Sequence, residues 1–266
     1  MADETRSLVP AVTRAVAILD LIAAEGEPMG ISKIARRLGL PKSSVANICT
    51  ALVDTGLLRN QDAGLQLGLH LAQLGSSYLA SVDHVGLFHE CCNLLVSGKN
   101  DTVQLALLGD GIDVVYLAKR EGVYPVRLAS TPGRSLPANC TATGKAMLAT
   151  LDDQDVQERL RMAAPLPRLT VNSIVAEEEL LHELDLIRTR GYALDREEVI
   201  EGVVCIGVAI PRQSATDQLL AVSITLLKPR ASARHLRELA DELHAVTRQI
   251  ALGLGVPTPR RVAGTG

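Results

Sequence analysis

Tryptophan is absent from the 266 residues, phenylalanine occurs once and tyrosine four times. Aromatic rings therefore bury little area, and the cores must be built from Leu, Val, Ile and Ala. No apolar run approaches the roughly 20 residues of a membrane-spanning helix. The opening "MADETRSLVP" lacks the apolar segment of a secretory signal. The expectation of a cytoplasmic protein comes from the cysteines. Five cysteines, an odd number without a CxxC pair, argue against a disulfide frame and for reduced thiols. GxSxG, HExxH and the GxGxxG dinucleotide fingerprint are all missing, which removes the commonest hydrolase, zinc-protease and dehydrogenase readings. What remains is a chain with 47% hydrophobic residues, globular and long enough for one large domain or two smaller ones.

A net charge of −3 hides a local asymmetry. Between residues 30 and 60 stand Lys33, Arg36, Arg37, Lys42 and Arg59 against one acid, Asp54, which gives that segment +4 and leaves −7 for the rest. A basic island in an acidic chain is the electrostatic footprint of nucleic-acid binding, or a solvated helix face.

"AVTRAVAILDLIAAEGEP" predicts a helix with Val12, Val16, Leu19 and Ile22–Ala23 on its inner face, ended by Gly26 and Pro28. "GISKIARRLG" predicts a second helix, with Ile31, Ile34, Ala35 and Leu38 inside and Lys33, Arg36 and Arg37 outside. Pro41 opens a third, whose inner face is Val45, Ile48, Cys49 and Leu52. "LLRNQDAGLQLG" reads as two short strands around a turn at 61–64. Three short helices and a hairpin make a winged helix-turn-helix, whose third helix enters the major groove of DNA. The candidates for DNA contact are Arg36 and Arg37, then Lys42, Ser43, Ser44 and Asn47 on the third helix, and Arg59 on the hairpin. Lys42 and the serines suit phosphates, whereas Asn47 suits the edge of an adenine. The run "AVTRAVAILDLI…ISKIARRLGLPKSSVANICTALVDTGLL" resembles the N-terminal domain of the IclR family of bacterial transcriptional regulators. Asn47 stands where members of that family often carry Arg, and "LQLG" where a Tyr-Arg-Leu-Gly wing is common. The resemblance with these departures implies a modest or strongly salt-sensitive DNA affinity.

"GLHLAQLGSSYLASVDH" continues as a helix with Leu71, Leu74, Tyr78 and Val82 along one side, a stripe for its own domain or for a second copy. Beyond it come a helix at 84–97, a hairpin in "TVQLALLGDGIDVVYLAK" and a third candidate strand, "VYPVRLAS". A helix follows to about Leu151, and another lies in "AEEELLHELDLIRTRG". The strands "GVVCIGVAI" and "LLAVSITLL" and a last helix over 232–252 complete the domain. Hairpins with helices between them predict an antiparallel α+β domain.

"NCTATGKAML" at 139–148 runs small polar residues into Gly-Lys and a helical pattern. A Walker loop is incomplete here, because Asn139 replaces the first glycine and Ala146 the metal-binding hydroxyl. An ordinary capped helix or an anion-holding helix start remains. "PANCTATGKAMLATL", "IRTRGYALDREEVIEGVVCIGVAI" and "LAVSIT" resemble the effector-binding domain of the same family, so that the likeness spans about 8–253. It implies a winged helix-turn-helix over 8–67, a linker helix over 68–83, a GAF-like antiparallel-sheet effector domain over 84–253, and a disordered tail over 254–266. The implied effector positions are Leu128, Leu136, Ala142, Thr143, Asp195, Cys205, Ser223 and Thr225. The implied partners are double-stranded operator DNA, a small organic acid and further copies of the chain, as a homodimer or homotetramer, with no cofactor, metal or membrane.

Each effector position also has a plainer reading: Cys205 as a small core residue, Asp195 as a surface acid or loop cap, Ser223 and Thr225 as satisfied hydroxyls. The competing function is a thiol-dependent enzyme using Cys205 or Cys140 with a histidine, although no histidine lies in a partner motif. "HECC" at 89–92 offers soft metal ligands, but successive helical residues diverge, which predicts Cys91 and Cys92 as one inward and one outward.

Overall fold

A computed structural model describes residues 8–80, 83–95, 101–122 and 130–256. The chain divides into two compact units between Val82 and Asp83.

The first unit contains α1 (Pro10–Glu25), α2 (Ile31–Leu38), α3 (Lys42–Asp54), the hairpin β1 (Leu58–Gln61) and β2 (Gly64–Leu67), and α4 (Leu69–Ala80). Gly26 and Gly39 close α1 and α2 in the left-handed conformation that glycine adopts without steric penalty. Ile18, Ile22, Met29, Ile34, Val45, Cys49, Leu52, Leu58 and Leu65 make its core. A bridge between Met29 and Leu65 ties the hairpin to the α1–α2 connection. One expected face holds only in part: Leu19 and Ile22 face inward as expected, but Val12 and Val16 are 60% and 51% exposed and Ala23 is exposed, and Ala15 and Ile18 complete the packed stripe. Alanine-rich helices carry two plausible apolar stripes, and packing against α3 selects the one with the isoleucines.

The second unit is a six-stranded antiparallel sheet in the order β5-β4-β3-β8-β7-β6. Its strands are β3 (Thr102–Leu108), β4 (Asp113–Arg120), β5 (Ser135–Pro137), β6 (Ala193–Arg196), β7 (Val203–Ala209) and β8 (Leu220–Leu227). Helices α5 (His84–Leu95) and α9 (Ala233–Gly253) cover one face, while α6 (Ala142–Leu148), α7 (Asp153–Ala163) and α8 (Glu177–Arg190) belong to the apolar cluster on the other. Alternation assigns Val103, Leu105, Ile206, Val222 and Ile224 to the α5–α9 side. Between α9 and the sheet, α5 buries more than one stripe, so Cys91 and Cys92 are both buried, against expectation. Among the described residues no three His, Cys, Asp or Glu side chains are placed to hold a metal, and no helix is long and apolar enough to cross a membrane.

Three elements were not anticipated. Strands β5 and β6 are too short for a period to register. Helix α7 carries an N-cap, with Asp152 accepting from the Asp155 N–H at 2.8 Å, a signal present in "DDQD". Arg159 of α7 donates to the carbonyls of Gly109, Asp110 and Gly111 and so pins the β3–β4 turn. Leu128, most of "VYPVRLAS", Val82 and all of the tail beyond Val256 lie outside the described residues.

Candidate functional site

The sheet face under α6 is polar where a core strand is ordinarily apolar. Register aligns Asp195 with Cys205, Cys205 with Thr225 and Thr225 with Thr102 in one row across four strands. The next row is Gly207, Ser223 and Gln104. Because successive side chains alternate, all of these share one side of the sheet. The expectation that Ser223 and Thr225 share a face holds, and both are buried. Gln104 was missed, yet "TVQLALL" carries the same signal: a polar residue amid apolar ones.

Two glycines bring α6 down onto these rows. A Cβ at Gly207 would lie 2.8 Å from the Ala142 carbonyl carbon and 3.0 Å from the Thr143 nitrogen. A Cβ at Gly144 would lie 2.3 Å from the Ala138 Cα. The glycine of the Gly-Lys pair is thus required by close packing and not by phosphate. Thr141 caps α6, accepting from the Gly144 N–H at 3.1 Å. The N–H groups of Ala142 and Thr143 have no carbonyl within their own helix.

Between the α6 start and the sheet lies a narrow pocket, partly open to solvent. Of the expected residues, Leu136, Ala142, Thr143, Asp195, Cys205 and Ser223 line it. Thr225 lies just beside it, 3.3 Å from the Cys205 sulfur and 3.4 Å from Gln104 Oε1. Tyr116, Ser130, Thr141, Val199, Ile200 and Val203 complete the wall and were not anticipated. A bulge in β3–β4 shifts the register so that Tyr116 pairs with Ala106, and its hydroxyl lies 3.4 Å from Thr143 Oγ1. Gln104 Nε2 donates to the Ser130 carbonyl at 2.7 Å and holds that edge.

Asp195 is neither a surface acid nor exposed. It is 2% accessible and acts as a buried cap, accepting from the N–H groups of Glu198 at 2.6 Å and Val199 at 3.4 Å. Burial pushes its carboxyl up to about 7, against the lowering effect of those N–H groups. Beside it, outside the pocket lining, Lys145 is wholly buried and donates to Glu198 Oε1 at 2.5 Å. Burial also raises the Glu198 carboxyl, although Lys145 works the other way. The segment 197–202, which supplies Val199 and Ile200, is pinned from outside as well. Thr170 and Ser173 donate to the carbonyls of Glu197 and Glu198 at 2.7 and 2.8 Å, and Lys228 pairs with Glu197 at 2.5 Å.

Burial raises the Cys205 thiol well above its usual range and raises Cys140 too. A nucleophilic cysteine requires the opposite shift, so the pocket is built for binding rather than thiol chemistry.

In the first unit, Arg36, Arg37, Lys42, Ser43, Asn47 and Arg59 are exposed and Ser44 is half-buried. Not all of the cations are uncommitted. Glu25 of α1 pairs with Lys33 at 3.0 Å and with Arg37 at 2.8 Å, and Arg59 donates to Gln66 at 2.8 Å. The +4 island therefore overstates the charge available to phosphates.

Comparison with known proteins agrees with both halves. The chain matches the IclR helix-turn-helix domain over residues 11–62 and the C-terminal domain of bacterial IclR transcriptional regulators over 76–252. It is 31% identical to the transcriptional regulator KdgR of Dickeya chrysanthemi over 255 residues, 95% of this chain and 82% of that protein. The crystal structure of the Agobacterium tumefaciens repressor BlcR is similar, with a TM-score of 0.61 and 31% identity, covering 94% of this chain and 99% of that one. An IclR homolog from Microbacterium hydrocarbonoxydans, crystallised with 4-hydroxybenzoate, shares the fold, with a TM-score of 0.71 and 21% identity over 91% of this chain and 99% of that one. The chain belongs to the IclR family and is a DNA-binding transcriptional regulator, not an enzyme.

Proposed function

We propose that a small organic acid binds in the pocket between α6 and the sheet and alters the affinity of the first unit for its operator. The observation that carries this reading is the double polar row beneath α6, in a sheet whose other face is built mainly on Val103, Leu105, Ile206, Val222 and Ile224. Tyr116, Ser130, Thr143 and Ser223 offer hydroxyls to a carboxylate, and the free N–H groups at the α6 start add to them. With seven residues, α6 supplies only a weak dipole, so the hydroxyls carry most of the recognition. The relative crystallised with 4-hydroxybenzoate supports an acid of that general kind. Leu136 and Val203 form apolar wall, and Leu128 is assigned there by resemblance alone.

On the same reading, residues 8–67 bind DNA, 68–83 link, and 84–253 respond to the effector in a cytoplasmic homodimer or homotetramer. Arg36, Lys42, Ser43 and Ser44 meet phosphates, together with Arg37 and Arg59 once their present partners yield, and Asn47 reads a base. Calorimetry with 4-hydroxybenzoate, glycolate and lactate tests the pocket. Wild type should bind at least one of them, and Thr143→Phe, which fills the pocket, should bind none while retaining DNA affinity. Equal heats from both proteins would move the effector elsewhere.

A further inference from the structure

We infer that Asp195 makes the pocket selective for singly charged acids, each bound together with one proton that Asp195 takes up. The inference rests on the effector reading above and adds the charge state of what binds. Its basis is the composition of the enclosure. The groups facing Asp195 are Glu198 on its own loop, Lys145 on α6, Cys205 on β7, Tyr116 on β4 and Cys140 on the turn before α6. Burial raises the Tyr116 hydroxyl and both thiols, so all three remain neutral. Lys145 is the only cation in this set, and it is already committed to Glu198 at 2.5 Å. No Lys, Arg or His side chain lines the pocket among the described residues. One cation thus faces two acids before any ligand enters.

Among the described lining residues an incoming carboxylate meets no positive side chain. It meets hydroxyls and the Asp195 carboxyl, whose Oδ1 already accepts two backbone N–H groups. The Cys205 thiol also bonds this carboxyl, and a proton held on Oδ2 can be donated to the ligand carboxylate, turning repulsion into a hydrogen bond. Because the empty site releases this proton near neutrality, at about 7, uptake falls within the working range of a cytoplasm. A second ligand carboxylate would need a second proton, and Asp195 is the one carboxyl among the described lining residues. Dianions of the same shape therefore bind more weakly.

The test is calorimetry on the full chain, at about pH 6, 7 and 8.5, in phosphate and in Tris, whose different ionisation heats report the protons taken up. The probes are matched in shape: 4-hydroxybenzoate against terephthalate, and glycolate against oxalate. The carboxylates of all four are ionised throughout this range. Monoacid binding should take up no proton at about pH 6, about half a proton near 7 and about one at 8.5, with affinity falling roughly tenfold per unit above 7. Each dianion should bind at least about thirtyfold more weakly than its monoanion partner at about pH 7. Asp195→Asn should take up no proton and show a flat pH profile. If that variant fails to fold, infrared difference spectra of wild type serve instead, since a protonated carboxyl band should appear on ligand addition at about pH 8.5. Monoacids that bind without proton uptake, or dianions that bind as well as monoanions, would overturn the inference while leaving the pocket reading intact. No binding by 4-hydroxybenzoate, glycolate or lactate, or binding unaffected by Thr143→Phe, would overturn the pocket reading and this inference with it.

Discussion

Ser223 and Thr225 were visible in the sequence because a hydroxyl at every second position of "LAVSIT" breaks an aliphatic strand, and register then confirmed one shared face. Lys145 was not visible. A lysine is ordinarily exposed, and its burial depends on Glu198, 53 residues further on. Such a pair is strongly destabilised when one partner is removed, by about 3–5 kcal/mol, because the other is left buried and unpaired. Lys145→Ala should lower the thermal midpoint accordingly, and Lys145→Met with Glu198→Leu should recover most of the loss. Calorimetric melting distinguishes these outcomes. Asp195 gives a stability prediction with a definite sign. Its folded carboxyl lies near 7, well above the ordinary aspartate range, so the folded state holds a proton that the unfolded chain releases. Stability conferred by the neutral acid is complete below about pH 4 and lost as pH rises towards 7. Asp195→Asn should therefore match wild type at about pH 4 and exceed it by about 2–4 kcal/mol at pH 8, as measured by denaturant titration. Gly144→Ala should destabilise by roughly 2–4 kcal/mol, because its neighbour is backbone and cannot step aside.

Elements with complete punctuation were the easiest to read. Helix α8 has three acids in its first turn, arginines in its last and Gly191 in the left-handed conformation as its stop, and every part of that appears in the sequence. Val12 and Val16 were misassigned to the inner face of α1, where Leu19 and Ile22 do lie, because two stripes compete and only packing chooses between them. The stripe left outside, with Val9, Val12 and Val16, is exposed. On α4, Leu69, Leu74 and Tyr78 are also exposed. Replacing Leu74 and Tyr78 with Glu should shift sedimentation towards monomer if α4 joins copies of the chain, and an unchanged oligomer would exclude it. The Glu25 pairs with Lys33 and Arg37 were also missed, since they join α1 to α2. On the proposed reading, Glu25 competes with phosphate for Arg37 and adds a negative charge beside the basic face. Glu25→Gln should strengthen binding to all DNA sequences and steepen its salt dependence. Lys42→Ala should weaken all binding and flatten the slope by roughly 1. Asn47→Ala should instead relax the preference at one half-site position, as read by selection from a random library.

At the scale of the molecule, two compact units of different chemistry share one chain. One carries exposed cations and a recognition helix, and the other encloses a pocket that holds no cation among its described lining residues. Composition announced the first through a local charge excess and gave no hint of the second, because a pocket arises from distant strands brought into register. Regulation requires that ligand binding in the second unit change the DNA affinity of the first, and the coupling must be reciprocal. Fluorescence anisotropy on a DNA fragment from upstream of its own gene tests this most directly, with and without whichever monoacid calorimetry shows to bind. The acid should shift the wild-type affinity at least about fivefold, and Thr143→Phe, with the same affinity in its absence, should not respond. An identical shift in both proteins, or no shift in wild type at saturating acid, would contradict the account.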